Sequence, residues 1–256
     1  MLFEIIICII AGLGAGFGTG FAGMSAAAVI SPLLITFLHM DPYLAVGIAL
    51  ASDVLASAAS AITYGKNKNL DIKNGIIMMI SVLCFTMAGS YIASIVPKTT
   101  MGNFSVFMTL LLGIKFIVKP VTEPKQRLLA ATAKQKAIRS VACGAAVGFI
   151  CGFVGAGGGM MMLLVLTSVL GYELKTAVGT SVFIMSATAL TGSVSHFVIG
   201  GMPDIKALVI CVVSTLVFAQ IASLLANKLP AKTLNRITGA ILVVLGIAVL
   251  GVNYLA

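Results

Sequence analysis

Apolar stretches about as long as a bilayer is thick recur from one end of this sequence to the other. They fall at 3–20, 24–39, 43–64, 72–95 and 101–119, then at 139–155, 157–170, 174–199, 205–227 and 235–254. A helix rising about 1.5 Å per residue needs about 20 apolar residues to cross the hydrocarbon. A soluble core of 256 residues could not absorb a chain that is 60% hydrophobic and 9% charged. An all-α polytopic membrane protein is therefore expected. A β-barrel would show short segments of strict alternation, and the sequence has none. The opening "MLFEIIICII" is apolar at once, with no basic residue ahead of it, and is expected to be a retained span rather than a cleaved signal.

The two sets of five segments are copies of one another. A shift of 132 residues aligns Gly16, Phe17, Gly20, Phe21 and Gly23 with Gly148, Phe149, Gly152, Phe153 and Gly155. It also aligns Ala45-Val46-Gly47 with Ala177-Val178-Gly179. After a one-residue insertion, Asp71-Ile72-Lys73 aligns with Asp204-Ile205-Lys206, and Pro97 with Pro230. Shared Gly, Pro and Asp in one register mark an internal duplication. The reading is a first transmembrane repeat at 1–119, a basic linker at 120–138, and a second repeat at 139–256. Each repeat is expected to hold about three full spans plus a broken or re-entrant two-segment hairpin, 8–10 membrane segments in all.

An odd number of segments per repeat turns the second copy upside down. The charges agree with that. With the linker placed in the cytoplasm, fourteen basic residues fall inside: Lys66, Lys68, Lys73, Lys115, Lys119, Lys125, Arg127, Lys134, Lys136, Arg139, Lys175, Lys228, Lys232 and Arg236. Only Lys98 and Lys206 fall outside, the asymmetry of the positive-inside rule. Both termini are then periplasmic or extracellular, and the membrane is a cell inner membrane. The net charge of +9 thus reports orientation, and no compact basic face exists to bind nucleic acid. A homodimer is compatible with this picture. The sequence names no assembly.

Inverted repeats with glycine-interrupted segments at matching positions point to the midplane site of a secondary transporter. The interruptions are Gly23-Met24-Ser25 in the first repeat and Gly155-Ala156-Gly157-Gly158-Gly159 in the second. A new helix starting after each break would aim unpaired N–H groups and a partial positive charge at the cavity. Glycine would let an anion reach the bare backbone. Close helix packing is the competing role for Gly12, Gly16 and Gly20, which lie four residues apart. The spacing Gly16-x-Gly18 is no dinucleotide fingerprint, because no strand precedes it.

The stretches "GFVGAGGGMMMLLVL" and "ELKTAVGTSVFIMSATALTGSVSHFVIGGMPDIKAL", with the first-half echo "GFGTGFAGMSAAAVISPLLI" and "YLAVGIALASDVLAS", resemble the sulfite exporter TauE/SafE family over essentially the whole chain. The resemblance implies transport of small sulfur-containing or organic anions, such as sulfite, sulfoacetate or other sulfonates, across bacterial inner membranes. The first half departs from the glycine-rich form, carrying Met24-Ser25-Ala26-Ala27 where the second carries Ala156-Gly157-Gly158-Gly159.

Asp53 stands in the middle of segment 43–64, and a carboxylate at that depth normally faces a cavity or a partner. It is the candidate carrier of a coupling proton, with a neutral structural acid as the alternative. Its counterpart is Met185, so any proton site is asymmetric. Thr180-Ser181 and Ser52 are the hydroxyl candidates for the anion. His196, and Tyr64 at the matching position of the first repeat, are the vestibule candidates. All five cysteines fall in apolar segments, and no metal-ligand spacing or cofactor motif is visible.

The expected function is a secondary transporter of small anions, with export the expected direction, working by alternating access around the paired helix starts. A passive anion channel is the alternative. An intramembrane enzyme would need a His-Glu-x-x-His motif, a Gly-x-Ser-x-Gly nucleophile with its histidine, or paired aspartates. The sequence has none of these, and no phosphate-binding loop for an ATP-driven pump.

Overall fold

The computed structural model describes residues 2–93, 111, 114–119, 132–154 and 158–255, and among them there is no strand. The helices are α1 (Leu2–Ala22), α2 (Ala27–Leu38), α3 (Pro42–Lys66), α4 (Ile72–Ala93), α5 (Ala133–Val154), α6 (Gly158–Leu164), α7 (Leu174–Gly200), α8 (Ile205–Lys228) and α9 (Ala231–Leu255). A further short helical stretch covers 114–118.

Their starts follow from capping chemistry. Asp41 accepts from Tyr43 N and Leu44 N, with Pro42 opening α3. Asp204 accepts from Lys206 N and Ala207 N at the start of α8. Helix α5 begins inside the polar stretch that separates the two apolar sets. There Thr132 and Gln135 form a reciprocal capping box at 3.1 and 3.3 Å. Past α6 the chain widens into one π-helical run, Val165–Leu170, where Thr167 Oγ1 donates back to Leu163 O. Gly171, at φ 84°, ends it.

Among the described residues, five helices are long and apolar enough to cross a membrane: Leu2–Ala22, Pro42–Lys66, Leu174–Val198, Ile205–Lys228 and Ala231–Ala248. Their outward faces carry exposed Ile62, Val198, Val213 and Val244, the surface a bilayer covers. The chain is a multi-pass membrane protein.

Glycine decides which helices touch. A Cβ on Gly16 would lie 2.7 Å from Phe218 Cβ and 2.8 Å from Ala219 N, and one on Gly20 only 2.5 Å from Ala222 Cβ. Gly12, Gly16 and Gly20 therefore seat α1 directly on α8. Gly144 and Gly148 do the same for α5 on α4, meeting Met78 and Val82. Helices α3 and α7 pack against each other antiparallel, with Tyr43 of one beside His196 of the other. The helical bundle thus has a His196 end and, opposite it, an Asp71 end.

Candidate functional site

At the first break the chain leaves α1 through Gly23, whose φ of 58° favours glycine. Its carbonyl accepts from Ser181 Oγ at 3.0 Å, which ties the break to α7. Thr19 Oγ1 holds the next carbonyl, that of Met24, at 2.9 Å. The chain then turns so that Ser25 and Ala26 present donors at the start of α2.

Those donors are already met by Asp53. Its Oδ2 accepts from Ser25 Oγ at 2.9 Å and from Ala26 N at 3.2 Å, while Oδ1 accepts from Ser57 Oγ at 2.7 Å. The fully buried carboxylate caps α2 from the neighbouring helix. A free anion-binding end is therefore not what the first break offers. The protein's own carboxylate occupies that place.

The start of α6 comes to the same point. A Cβ on Gly159 would lie 2.6 Å from Ser25 N and 2.8 Å from Gly23 O, so the start of α6 touches the first break backbone to backbone. Gly155, Ala156 and Gly157 lie outside the described residues.

A cavity of about 800 Å³ opens beside this junction. Ser25, Asp53, Gly158 and Gly159 line its deep end, and Tyr43 and His196 its far end. His196 stacks on Tyr43 with ring centroids 4.2 Å apart, and its Nδ1 lies 3.0 Å from Tyr43 O. Thr188, Thr191 and Ser195 form a hydroxyl stripe between the two ends. Each donates to a carbonyl of its own helix. No lysine or arginine is among the described residues that line it.

The other expected site residues are placed differently. Gly23, Met24, Ser52 and Ser181 are buried without lining the cavity, and Thr180 is buried at the Asp71 end. Ser52 Oγ donates to Ile48 O, and Ser181 serves the Gly23 turn. Tyr64 is not at a vestibule: it is fully buried near the Asp71 end, its OH donating to Gly20 O at 2.8 Å. Tyr43 and Ser57 were not read from the sequence. The repeated pattern offered no signal for Tyr43, but Ser57 was legible as the residue one helical turn beyond Asp53.

A second polar cluster lies at the Asp71 end. Tyr172 OH and Asn74 Nδ2 both donate to Asp71 Oδ2 at 2.7 Å, and Thr180 Oγ1 accepts from Asp71 N at 3.2 Å. Asn69 Nδ2 donates to Asn227 Oδ1 at 2.7 Å, and Lys175 Nζ to Asn227 O. Burial, reinforced by the Asp71 carboxylate, pushes the Tyr172 phenol above its ordinary range, so it remains a donor. This network spans α4, α7, α8 and the loops before α4 and α7, and no cavity-lining residue among the described residues comes from that end.

A buried carboxylate at the start of one interrupted helix, touching the start of α6 and lining a cavity in a multi-pass helical bundle, fits the class of membrane transport proteins. Comparison of sequences places the chain within that class. The family model described as "Sulfite exporter TauE/SafE" matches residues 8–249, and the chain belongs to this family. It is 27% identical to the probable membrane transporter protein YunE of Bacillus subtilis, over 95% of this chain and 96% of that one. It is 22% identical to a second Bacillus subtilis protein, the probable membrane transporter protein YdhB, over 84% of this chain and 88% of that one. A probable membrane transporter protein of Methanocaldococcus jannaschii is 24% identical over 96% of this chain.

Proposed function

We propose that this protein is a proton-coupled carrier that moves a small, singly charged anion, of the sulfite or sulfonate class, across a cell inner membrane. The observation that carries the reading is Asp53 itself, capping α2 while lining the cavity beside Gly158 and Gly159. Two negative charges about 4 Å apart at an effective dielectric of about 20 repel by about 4 kcal/mol, roughly three decades of affinity. The anion therefore enters when Asp53 carries a proton, and the two move together. With no cation lining the cavity to neutralise a second charge, a monoanion fits better than a dianion. Direction follows the combined anion and proton gradients. Export results where the anion is made inside the cell, as the family's exporter name suggests.

An inverted duplication supports alternating access. Shifting by 132 or 133 residues carries α1 onto α5, α3 onto α7 and α4 onto α8. The pairing of α1 with α8 is thereby carried onto that of α5 with α4, and Gly12 and Gly16 onto Gly144 and Gly148. The positive-inside rule, applied to lysines 66, 68, 73, 175, 228 and 232, supports a cytoplasmic Asp71 end with both termini outside. The cavity then faces outward, with the Asp71–Tyr172 network as the cytoplasmic latch. A latch of this kind favours a carrier over an open anion channel.

The test uses purified protein in proteoliposomes with an entrapped pH dye and a panel of sulfite, thiosulfate, sulfonates and carboxylates. Saturable anion flux accompanied by protons, and absent in Asp53→Asn, is the expected result. Flux that neither saturates nor moves protons would sink the carrier reading.

A further inference from the structure

We infer that Asp53 exchanges its proton with the cytoplasm along one face of α3, through Ser57, Ser60 and the Thr63–Gln220 pair. The inference rests on the reading of Asp53 as the proton carrier and adds the route.

The two oxygens of Asp53 face different ways. Oδ2 turns to Ser25, Ala26 and the cavity, while Oδ1 is held by Ser57, one helical turn nearer the Asp71 end. The next turn carries Ser60, which is fully buried and whose Oγ has no hydrogen-bond partner among the described residues. Its neighbours on the same helix do not share this state. Ser52 donates to Ile48 O and Thr63 to Ala59 O, the usual way a serine or threonine quiets its hydroxyl in a membrane helix. An orphaned hydroxyl in such a place calls for a water.

The spacing suits one. Residues three or four apart on a helix stand about 5–6 Å apart at Cβ, a gap that one water spans with two hydrogen bonds. After Ser60 comes Thr63, whose Oγ1 accepts from Gln220 Nε2 at 3.0 Å. One turn further is Asn67, exposed at the end of α3, its Nδ2 donating to Thr63 O. From Asp53 to Asn67 is about 21 Å along the helix axis.

The transfer balances. Protonated Asp53 donates through Oδ1 to Ser57 Oγ, which reverses the bond seen here, and Ser57 passes its own hydrogen toward the water beside Ser60. Each oxygen along the row takes one proton and releases one. Asp53 is left as a carboxylate, every hydroxyl is left neutral, and one proton reaches cytoplasmic water. The row thus discharges Asp53 on the side away from the cavity.

The experiment compares wild type, Ser60→Val, Ser60→Thr and Asp53→Asn in proteoliposomes, with sulfite as the anion and an entrapped pH dye. Valine fills the space and removes the hydroxyl, whereas threonine keeps it. Sulfite-driven proton flux should fall about tenfold in Ser60→Val, the rate equivalent of about one lost hydrogen bond. Ser60→Thr should restore it. Sulfite–sulfite exchange, in which Asp53 keeps its proton, should persist in Ser60→Val and shows that the variant is folded. Wild-type proton flux in Ser60→Val, with Asp53→Asn inactive, would overturn the row alone. Proton flux undiminished in Asp53→Asn would overturn Asp53 as the carrier, and the row with it.

Discussion

Replacing Asp53 with asparagine and with alanine separates its two jobs, and the cost of each follows from the bonds it accepts. The carboxylate receives three hydrogens, from Ser25 Oγ, Ala26 N and Ser57 Oγ. Asparagine has nearly the same shape. Its Oδ1 can keep Ala26 N and Ser25, and its Nδ2 can donate to Ser57 if that hydroxyl turns round. Bonds to a charge, worth about 1.5–3 kcal/mol, become neutral ones of about 0.5–1.5, while the desolvation of a buried charge is relieved. The net change should stay within about 1 kcal/mol. Alanine leaves a different result. The two hydroxyls can bond back to their own chain, but the Ala26 N–H cannot turn, and an orphaned buried donor costs about 1–3 kcal/mol before any cavity is counted. Unfolding of the detergent-solubilised proteins, followed by heat or denaturant, should therefore rank wild type close to Asp53→Asn, with Asp53→Ala at least about 1 kcal/mol lower. Neither variant should carry protons with the anion. Equal stability of the two variants would refute the claim that Asp53 caps α2.

Glycine substitutions test the junction. Gly159→Ala forces a Cβ to 2.6 Å from Ser25 N and should destabilise by about 1–3 kcal/mol, as should Gly16→Ala against α8. Gly14→Ala, whose Cβ would meet only Val29 Cγ1 at 3.2 Å and Leu245 Cδ2 at 3.4 Å, should be neutral or stabilising by up to about 1 kcal/mol under the same unfolding assay. Removing the phenol hydroxyl in Tyr172→Phe deletes one donor to Asp71. Hydrogen exchange over residues 67–75 should quicken about fivefold to tenfold; unchanged exchange would remove the latch. Because the folded phenol titrates above its ordinary value near 10, the Tyr172 bond contributes fully below that pH and is lost only as pH rises through the raised value. The exchange of that segment should accordingly show no phenol-linked rise between pH 6 and about 9.

Much of the architecture was legible because membrane insertion is read from local properties. Run length and polarity alone identify spans such as Pro42–Lys66 and Ile205–Lys228, and the recurring register of Gly, Pro and Asp is visible without any contact being known. Asp53 was equally legible, since an aspartate mid-span is costly wherever it points. What it points at was not. That Asp53 closes the start of α2, leaving no open anion-binding end there, depends on α3 lying beside the first break, a contact between residues 27 and 28 positions apart. The same holds for the glycines: spacing cannot tell a packing face from a broken helix. Only the placement of α8 against Gly12, Gly16 and Gly20, and of Gly159 against Gly23 and Ser25, divides them. Tyr64 shows the limit most plainly. The 132-residue register pairs it with His196, yet the two lie at opposite ends of the bundle, where one bonds Gly20 in the buried interior and the other stacks on Tyr43 at the cavity's far end. Sequence determines what must be buried in the bilayer. Which buried groups meet is decided by close packing across helices, and that is where the capped carboxylate, the cavity and the Asp71–Tyr172 network arise.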